Sequence, residues 1–181
     1  LKKLGWTTQN RMMTFLVRVK TLPYAKIIGK FGMKRLNDQK EKRIINKYKT
    51  EVLFFSPFNN AESGFTIYDE DFMKYKSFTN NNVILVDGIK VWAKSNGTLS
   101  IGNIDYCSEE KFMGVIEHLK LIARKMGLNQ LLLQFSPNTF QAKYLLNHYE
   151  PIMGSAIIFK PFSTSIPLDK ILFSNADIDT F

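Results

Sequence analysis

The stretch from residue 109 to residue 135 constrains the fold of this chain most, because a helical pattern is followed directly by a glycine and an apolar run. Ser108 is the predicted N-cap of the helix, and Gly127 is its predicted C-terminal stop. LLLQF at 131–135 predicts a buried strand, since it is short, continuously apolar and bounded by turn residues. A helix joined so closely to a buried strand predicts packing against a sheet. The apolar residues at helical spacing are Phe112, Val115, Ile116, Leu119, Ile122, Ala123 and Met126.

A β-meander is predicted before this helix. Residues 81–106 contain Asp87-Gly88 and Asn96-Gly97, and both dipeptides favour tight hairpin turns between apolar runs. We therefore predict three antiparallel strands.

A second helix and a last strand are predicted after the buried strand. NTFQAKYLLNHYE (138–150) has a helical composition and ends before Pro151, and SAIIFKPF (155–162) is strand-like. The order from residue 83 is then β-β-β-α-β-α-β. That order predicts the fold class α/β (α+β), with a mixed sheet that carries helices on its faces.

The first part of the chain contains weaker signals. Residues 11–20 form an apolar, strand-like run, and Pro23 separates them from a basic, mostly helical segment at 24–50. A short strand is predicted at 52–55. A short helix is predicted within 68–78, because acidic residues precede basic ones there, which is the favourable order for the helix dipole.

Composition excludes several classes of protein. The single cysteine, Cys107, excludes a disulfide framework, and with His118 and His148 it is a poor supply of metal ligands, so we expect no metal site. Cys107 has no histidine near it in sequence that would activate it as a nucleophile. No apolar run reaches the roughly 20 residues of a membrane span, and no signal peptide precedes the first element. We expect a cytoplasmic protein.

The charge is unevenly distributed. Residues 1–50 hold 14 Lys and Arg against 2 Asp and Glu, a net charge of +12, whereas residues 51–181 have a net charge of −3. Such a basic segment can bind nucleic acid. A solvated helix that joins two folded parts fits better, because apolar residues are sparse in GMKRLNDQKEKRIINKYK (32–49) and Tyr48 is the one aromatic residue of that stretch available for base stacking. We therefore do not expect a nucleic-acid partner.

The predicted order resembles the GNAT superfamily of acyl-CoA-dependent N-acyltransferases, over residues 83–162. NGTLSIGNIDY (96–106) resembles the family's fourth strand. FMGVIEHLKLIARKMGLNQLLLQF (112–135) resembles its central helix and fifth strand. SPNTFQAKYLLNHYEPI (136–152) is similar to the segment in which an Asn and an Ala introduce the next helix. The resemblance implies a GNAT-like mixed sheet.

The same resemblance bears on domain organisation. The opening LKKLGWTTQNRMMTFLVR resembles the end of a GNAT domain, namely a helix end, Leu-Gly-aromatic and a terminal strand. We therefore expect 1–22 to end a preceding GNAT-like domain, 23–50 to be a basic helical connector, and 51–181 to be the C-terminal GNAT-like domain. FSNADIDTF (173–181) resembles a natural C-terminus. The alternative makes 11–20 the first strand of a single domain.

The cofactor loop departs from the family pattern. GNAT enzymes hold the CoA pyrophosphate in a loop of pattern Gln/Arg-x-x-Gly-x-Gly/Ala before the central helix, where small residues let backbone N–H groups reach the anion. The corresponding positions here are Cys107, Glu110 and Phe112, and only Gly114 lies nearby. Glu109 and Glu110 place two carboxylates where phosphates would bind, and they are equally explained as helix-stabilising residues of a first turn.

The resemblance also implies candidate site residues. The positions for contacts with acetyl-CoA or another acyl-CoA, which we expect to be bound weakly or not at all, are Ile104, Tyr106, Ser108, Lys111 and Asn138.

Candidate catalytic residues follow from the same resemblance. The family's general acid is a Tyr in the helix after the fifth strand, but alignment places Leu145 or Leu146 there. Tyr144 is the nearest candidate and Tyr149 the next, with core packing as the alternative role for both. Asp105, near the end of the fourth strand, is the candidate base, and its alternative role is a structural strand-end carboxylate.

Two functions remain open. In the first, the chain is the C-terminal part of a GNAT N-acyltransferase that modifies a small-molecule or protein amine. In the second, it is a non-catalytic GNAT-like module for dimerisation or interdomain packing, which exposes a sheet edge and aromatic residues such as Phe54, Phe55 and Phe58. The partners expected are the preceding domain and, in the second case, another copy of the chain.

Overall fold

Six strands and four helices make up the described part of the chain. The computed structural model describes residues 7–22, 24, 27, 34–51, 63–76, 78, 81–159 and 170–178. The strands are β1 (Thr7–Arg18), β2 (Asn81–Val86), β3 (Ile89–Ser95), β4 (Leu99–Ile104), β5 (Gln130–Phe135) and β6 (Ile152–Phe159). The helices are α1 (Lys34–Asn46), α2 (Glu70–Lys76), α3 (Glu109–Met126) and α4 (Phe140–Leu146), and a 3₁₀ turn covers Asn175–Asp177.

All six strands belong to one mixed sheet, in the order β2-β3-β4-β5-β1-β6. Strands β4 and β5 are parallel, and every other neighbouring pair is antiparallel. The order from β2 onwards is therefore β-β-β-α-β-α-β. The predicted fold class, a mixed α/β sheet in which a β-meander leads into a β-α-β-α-β unit, is confirmed.

The meander turns where the sequence predicts. Asp87 and Gly88 have φ values of 51° and 78°, and Gly97 has a φ of 69°. These left-handed conformations match the twist of antiparallel strands in tight hairpins, which is why Asp87, Gly88 and Gly97 suit them.

Helix α3 covers the centre of the sheet, with the predicted ends. The Ser108 side chain accepts a hydrogen bond from the Lys111 backbone N–H, and Gly127 ends the helix in the left-handed conformation (φ 77°). All seven of the predicted apolar positions are buried. Because burying one large apolar side chain stabilises a fold by about 1.5–3 kcal/mol, this face is the main anchor of the core.

Strand β1 lies inside the sheet and not at its border. It pairs with β5 on one side, where Met13 is opposite Phe135, and with β6 on the other, where Thr14 is opposite Ile152. The strand-like run predicted at 11–20 is confirmed as part of β1, which ends at Arg18. The assignment of 1–22 to a preceding domain stays a prediction, although residues 7–18 share a sheet with 81–159.

Other predictions agree with the described elements or fall outside them. The short acidic-to-basic helix is α2, and part of the basic connector is helical as α1. The predicted strand at 52–55, like Phe54, Phe55 and Phe58, lies outside the described residues. None of the helices described in the chain combines the length and hydropathy needed to cross a membrane.

Candidate functional site

The carboxyl ends of β4 and β5 define the candidate site. Because these strands are parallel, both end at the same edge of the sheet, and helices α3 and α4 each begin just beyond that edge. Ligands of open α/β sheets bind outside the carboxyl ends of the strands. We call residues 104–111 and 136–144 the carboxyl edge.

The two strands diverge as they approach this edge. Pairing between β4 and β5 covers only Leu99–Ile101 and Leu131–Leu133. A bulge follows, because Trp92 of β3 is opposite Asn103 while its neighbour Ala93 is opposite Ile101, which leaves one extra residue in β4. The space between the diverging ends must therefore be filled by other groups.

Gln141 of α4 fills part of that space. Its fully buried side chain donates from Nε2 to Asn103 Oδ1 (2.9 Å) and to the Ile104 carbonyl (3.3 Å). Asn103 Oδ1 also accepts from the Ile104 backbone N–H at 2.9 Å. These bonds replace the strand pairing that β4 loses beyond its bulge.

Residues 170–178, which we call the C-terminal strap, close the rest of the gap. The Ser136 backbone N–H donates to the Phe173 carbonyl (2.8 Å), and the Phe173 N–H donates to Ser136 Oγ (2.7 Å). Asn175 Nδ2 donates to the carbonyl of Ile101, the last residue of β4 that pairs with β5 (3.4 Å). The strap thus contacts both strands at the point of divergence.

A buried polar cluster holds the strap. Tyr68 OH donates to Asp177 Oδ1 (2.9 Å), lies 3.1 Å from Ser174 Oγ and accepts from Asn103 Nδ2 (3.3 Å). Burial raises the pKa of Tyr68 well above its usual value, and the Asp177 carboxylate raises it further. Burial also raises the pKa of Asp177, although its hydrogen bonds lower it. Sequence reasoning missed this cluster, because its members lie far apart in the chain and follow no motif.

Two predicted cofactor positions lie in the first segment of the carboxyl edge. Ile104 is completely buried in the core, whereas Tyr106 is half exposed and packs edge-on against Phe140, with ring centroids 5.1 Å apart. Only the Tyr106 side chain is therefore accessible to a ligand.

The candidate base, Asp105, is held by its neighbour strand. Its Oδ2 lies 3.5 Å from Lys90 Nζ, and its backbone N–H donates to the Lys90 carbonyl at 2.9 Å. Both side chains are largely shielded from solvent. This geometry fits the alternative role of a strand-end carboxylate.

The candidate acid, Tyr144, belongs to an aromatic cluster. Its ring packs edge-on against Phe112 (5.7 Å) and Phe140 (5.4 Å). Desolvation raises the pKa of Tyr144, with smaller contributions from Tyr106, Glu109 and Cys107. The phenol of Tyr144 therefore stays protonated at neutral pH and is a weaker acid than a free tyrosine. Its packing agrees with the alternative role in the core.

The first turn of α3 is where the resemblance places the pyrophosphate. Ser108 Oγ accepts from the Lys111 N–H at 3.4 Å, so this hydroxyl already serves as the helix cap. Glu109 Oε1 accepts from Asn147 Nδ2 at 2.8 Å, and Glu110 is exposed. The side chain of Lys111 is exposed as well.

These residues do not fit the pyrophosphate of CoA. The turn holds no glycine, its N-cap hydroxyl is engaged, and its two carboxylates would face the anion. Lys111 supplies one positive charge against two negative ones. We therefore derive no catalytic step through an acyl-CoA bound at this turn.

The last predicted cofactor position, Asn138, and the single cysteine, Cys107, also lie at the carboxyl edge. Asn138 is exposed in the turn before α4, and the neighbouring Thr139 is the cap: it accepts from the Ala142 N–H (3.2 Å) and donates to the Ser136 carbonyl (2.9 Å). Cys107 is buried, and burial raises the pKa of its thiol, although Lys111 lowers it. A thiol of this kind forms little thiolate at neutral pH.

Comparison with known proteins adds little to this geometry. No protein-family model matches the sequence, and no curated protein matches it significantly. Among solved structures, the chain is similar to a GCN5-related N-acetyltransferase from Kribbella flavida, with 12% identity and a TM-score of 0.39. The similarity covers 87% of this chain but 38% of that protein, so the chain spans well under half of its length. A likeness at this level carries no argument about activity.

Proposed function

We propose that this chain is the C-terminal part of an acyl-CoA-dependent N-acyltransferase of the GNAT type. The observation that supports the proposal is the arrangement of β4, α3 and β5. A meander leads into β4, α3 crosses over to the parallel strand β5, and α4 follows, which is the order that the sequence resemblance implies. The acceptor is a small-molecule or protein amine.

Within that enzyme, we propose that this domain supports the catalytic part and binds acyl-CoA poorly itself. A carboxylate about 5 Å from a phosphate charge costs roughly 0.8 kcal/mol at ε near 80 and about 3 kcal/mol at ε near 20. The helix N-terminus offers only about half a charge in return, and Glu109 and Glu110 already neutralise it. The strap and Gln141 leave little room between β4 and β5 for a ligand.

Calorimetric titration of this chain with acetyl-CoA tests the cofactor part of the proposal. We expect a Kd no better than about 1 mM, equivalent to roughly −4 kcal/mol. Replacing Glu109 and Glu110 by Gln should strengthen binding by about tenfold, because it removes the two repulsive charges. Glu117→Gln, an exposed change further along α3, is the matched control and should have no effect. Micromolar binding by the unchanged protein would contradict the weak site.

The acyltransferase activity needs a separate test on the full-length protein. Incubation with acetyl-CoA and a panel of primary amines should release free CoA thiol, measured with a thiol-reactive dye. This chain alone should release none. If the full-length protein neither binds acetyl-CoA nor releases CoA, the acyltransferase proposal is wrong.

A second candidate function is favoured by strand β6. Its sequence, IMGSAIIF, contains no charge, and its side chains are unusually exposed: Met153 is 81% exposed and Ile152 53%. On the other border of the sheet, residues 48–50 pair with β2, whereas β6 has no outer strand partner within the described residues. Uncharged edge strands favour pairing with another chain. A non-catalytic module that dimerises through β6 accounts for this edge.

Sedimentation velocity of the wild type and Met153→Lys distinguishes this candidate. Dimerisation through β6 predicts that the wild type forms dimers and that the edge lysine prevents them. Leu22→Lys, at a residue that is 78% exposed away from β6, is the matched control. A wild type that remains monomeric, or a Met153→Lys variant that still dimerises, would exclude this role for β6.

A further inference from the structure

A polar pocket separates helix α1 from the outer strands of the meander, away from the carboxyl edge. Its volume is about 190 Å³, and its lining includes carboxylate, carboxamide, hydroxyl and aliphatic groups. The lining residues that matter here are Asp38, Glu41, Ile45, Asn46, Asn82 and Ser95. We propose that this pocket binds a small organic cation, a primary ammonium ion on a short aliphatic chain.

Glu41 is the residue that points to a cation. Its side chain is almost completely buried (6% exposed), and it accepts hydrogen bonds from Ser95 Oγ and from Asn37 Nδ2. Both donors are neutral. No ion pair joins Glu41 to a Lys, Arg or His among the residues that the structure describes.

A buried carboxylate without a counter-charge is unfavourable, because two hydrogen bonds from neutral donors replace only part of its lost hydration. The negative charge of Asp38 adds to the cost of ionising Glu41. Burial is the main reason that the pKa of Glu41 is raised, and the Asp38 carboxylate raises it further, although the bonds from Ser95 and Asn37 lower it. A cation that enters the pocket supplies the missing counter-charge to Glu41.

The lining favours an organic ammonium over a metal ion. No group of three or more His, Cys, Asp or Glu side chains is placed to hold a metal in the described part of the chain. The volume is far above the roughly 10–15 Å³ that a cavity needs to hold one water molecule. Asn46 and Asn82 are lining residues with a carboxamide group, which can accept from the N–H donors of an ammonium, and Ile45 is an apolar lining residue for its methylene groups.

Lys42 also lines this pocket, and its positive charge should weaken the binding of a cation there. Its side chain is exposed, so its ammonium group is largely solvated. Its positive charge nevertheless opposes the binding of another cation in the pocket. Removing its charge should therefore strengthen binding.

The pocket is independent of the proposed acyltransferase function. Ser95 is opposite Leu99, at the amino end of β4, whereas the carboxyl edge begins at Ile104. The two sites lie at opposite ends of the same strand. Failure of either proposal leaves the other unaffected.

Titration of the chain with n-butylammonium chloride, followed by two-dimensional NMR, tests the site. We expect saturable shifts of the Asn82 and Ser95 amide signals. n-Butanol, a neutral analogue of the same shape, and sodium chloride at equal ionic strength should not reproduce them. Shifts of equal size with n-butanol, or none that saturate with the ammonium ion, would overturn the proposal.

Variants assign the effect to the carboxylates. Glu41→Gln keeps the shape of the side chain and should weaken binding by about tenfold or more, because the buried charge is gone. Asp38→Asn, at an exposed position that tolerates change, should weaken it several-fold, and Lys42→Gln should strengthen it. Glu117→Gln is the control. Unchanged affinity in a folded Glu41→Gln variant would overturn the proposal. If that variant does not fold, unchanged affinity in Asp38→Asn would overturn it.

Discussion

Gly127 at the end of α3 offers the sharpest test of how this fold is held together, through the change Gly127→Ala. Its φ of 77° is a left-handed conformation, which costs a non-glycine residue about 1–2 kcal/mol. A Cβ at this position would also overlap the ring of Tyr24, whose OH donates to the Lys125 carbonyl at 2.6 Å. Displacing that ring loses the hydrogen bond, worth about 0.5–1.5 kcal/mol, and its packing. We expect a total loss of about 3 kcal/mol in the free energy of unfolding.

Gly97→Ala is the matched control for this change. Gly97 has a similar φ of 69°, but a Cβ there meets no atom within 4 Å. Its replacement should cost only the backbone term, about 1–2 kcal/mol. Urea unfolding followed by circular dichroism measures both variants. In a Tyr24→Ala background, the cost of Gly127→Ala should fall to that of Gly97→Ala. Equal costs for the two glycines in the wild-type background would refute the proposed contact.

Three further predictions concern the buried polar groups and the basic segment. The pKa of Glu41 is raised in the folded state, so the folded protein binds this proton more tightly than the unfolded chain does. The free energy of unfolding should therefore fall as pH rises from below about 4.5 through the raised pKa. Urea unfolding at a series of pH values measures this fall, and Glu41→Gln should flatten it. Gln141→Ala should destabilise the fold by about 2–3 kcal/mol, because it removes the buried Nε2 donor from Asn103 Oδ1 and from the Ile104 carbonyl. The exposed change Asn138→Ala should alter stability by less than about 0.5 kcal/mol in the same assay. Binding to a fluorescent DNA duplex should be weak, independent of sequence and lost steeply with salt, and tight binding that persists at about 0.2 M salt would show that the basic segment has a nucleic-acid partner.

Local signals were sufficient for the elements from β2 to β6. Helix α3 begins at Ser108 and ends at Gly127, as predicted, because its cap, its apolar spacing and its left-handed stop all lie within its own sequence. The hairpin at Asp87-Gly88 was predictable for the same reason. The helix after β5 was predicted within 138–150, and its cap is Thr139.

The candidate site was predictable only in part. The resemblance to the GNAT superfamily placed the candidate residues after β4 and in the acidic first turn of α3, which is where the structure has the carboxyl edge. It did not reveal that Asp105 is paired with Lys90 or that Tyr144 lies in an aromatic cluster, because each contact joins different elements. The sequence did not predict that Glu41 is buried, because Glu41 lies in a segment predicted to be a solvated basic helix.

The sequence by itself therefore determined the helices, the hairpins and their order, which depend on residues a few positions apart. Only the tertiary structure decided that β1 lies between β5 and β6, and that the C-terminal strap and Gln141 fill the divergence of β4 and β5. Tyr68 and Asp177, for example, are 109 residues apart. Contacts of this kind depend on the summed packing of the whole sheet, and a short stretch of sequence carries no periodic or capping signal for them.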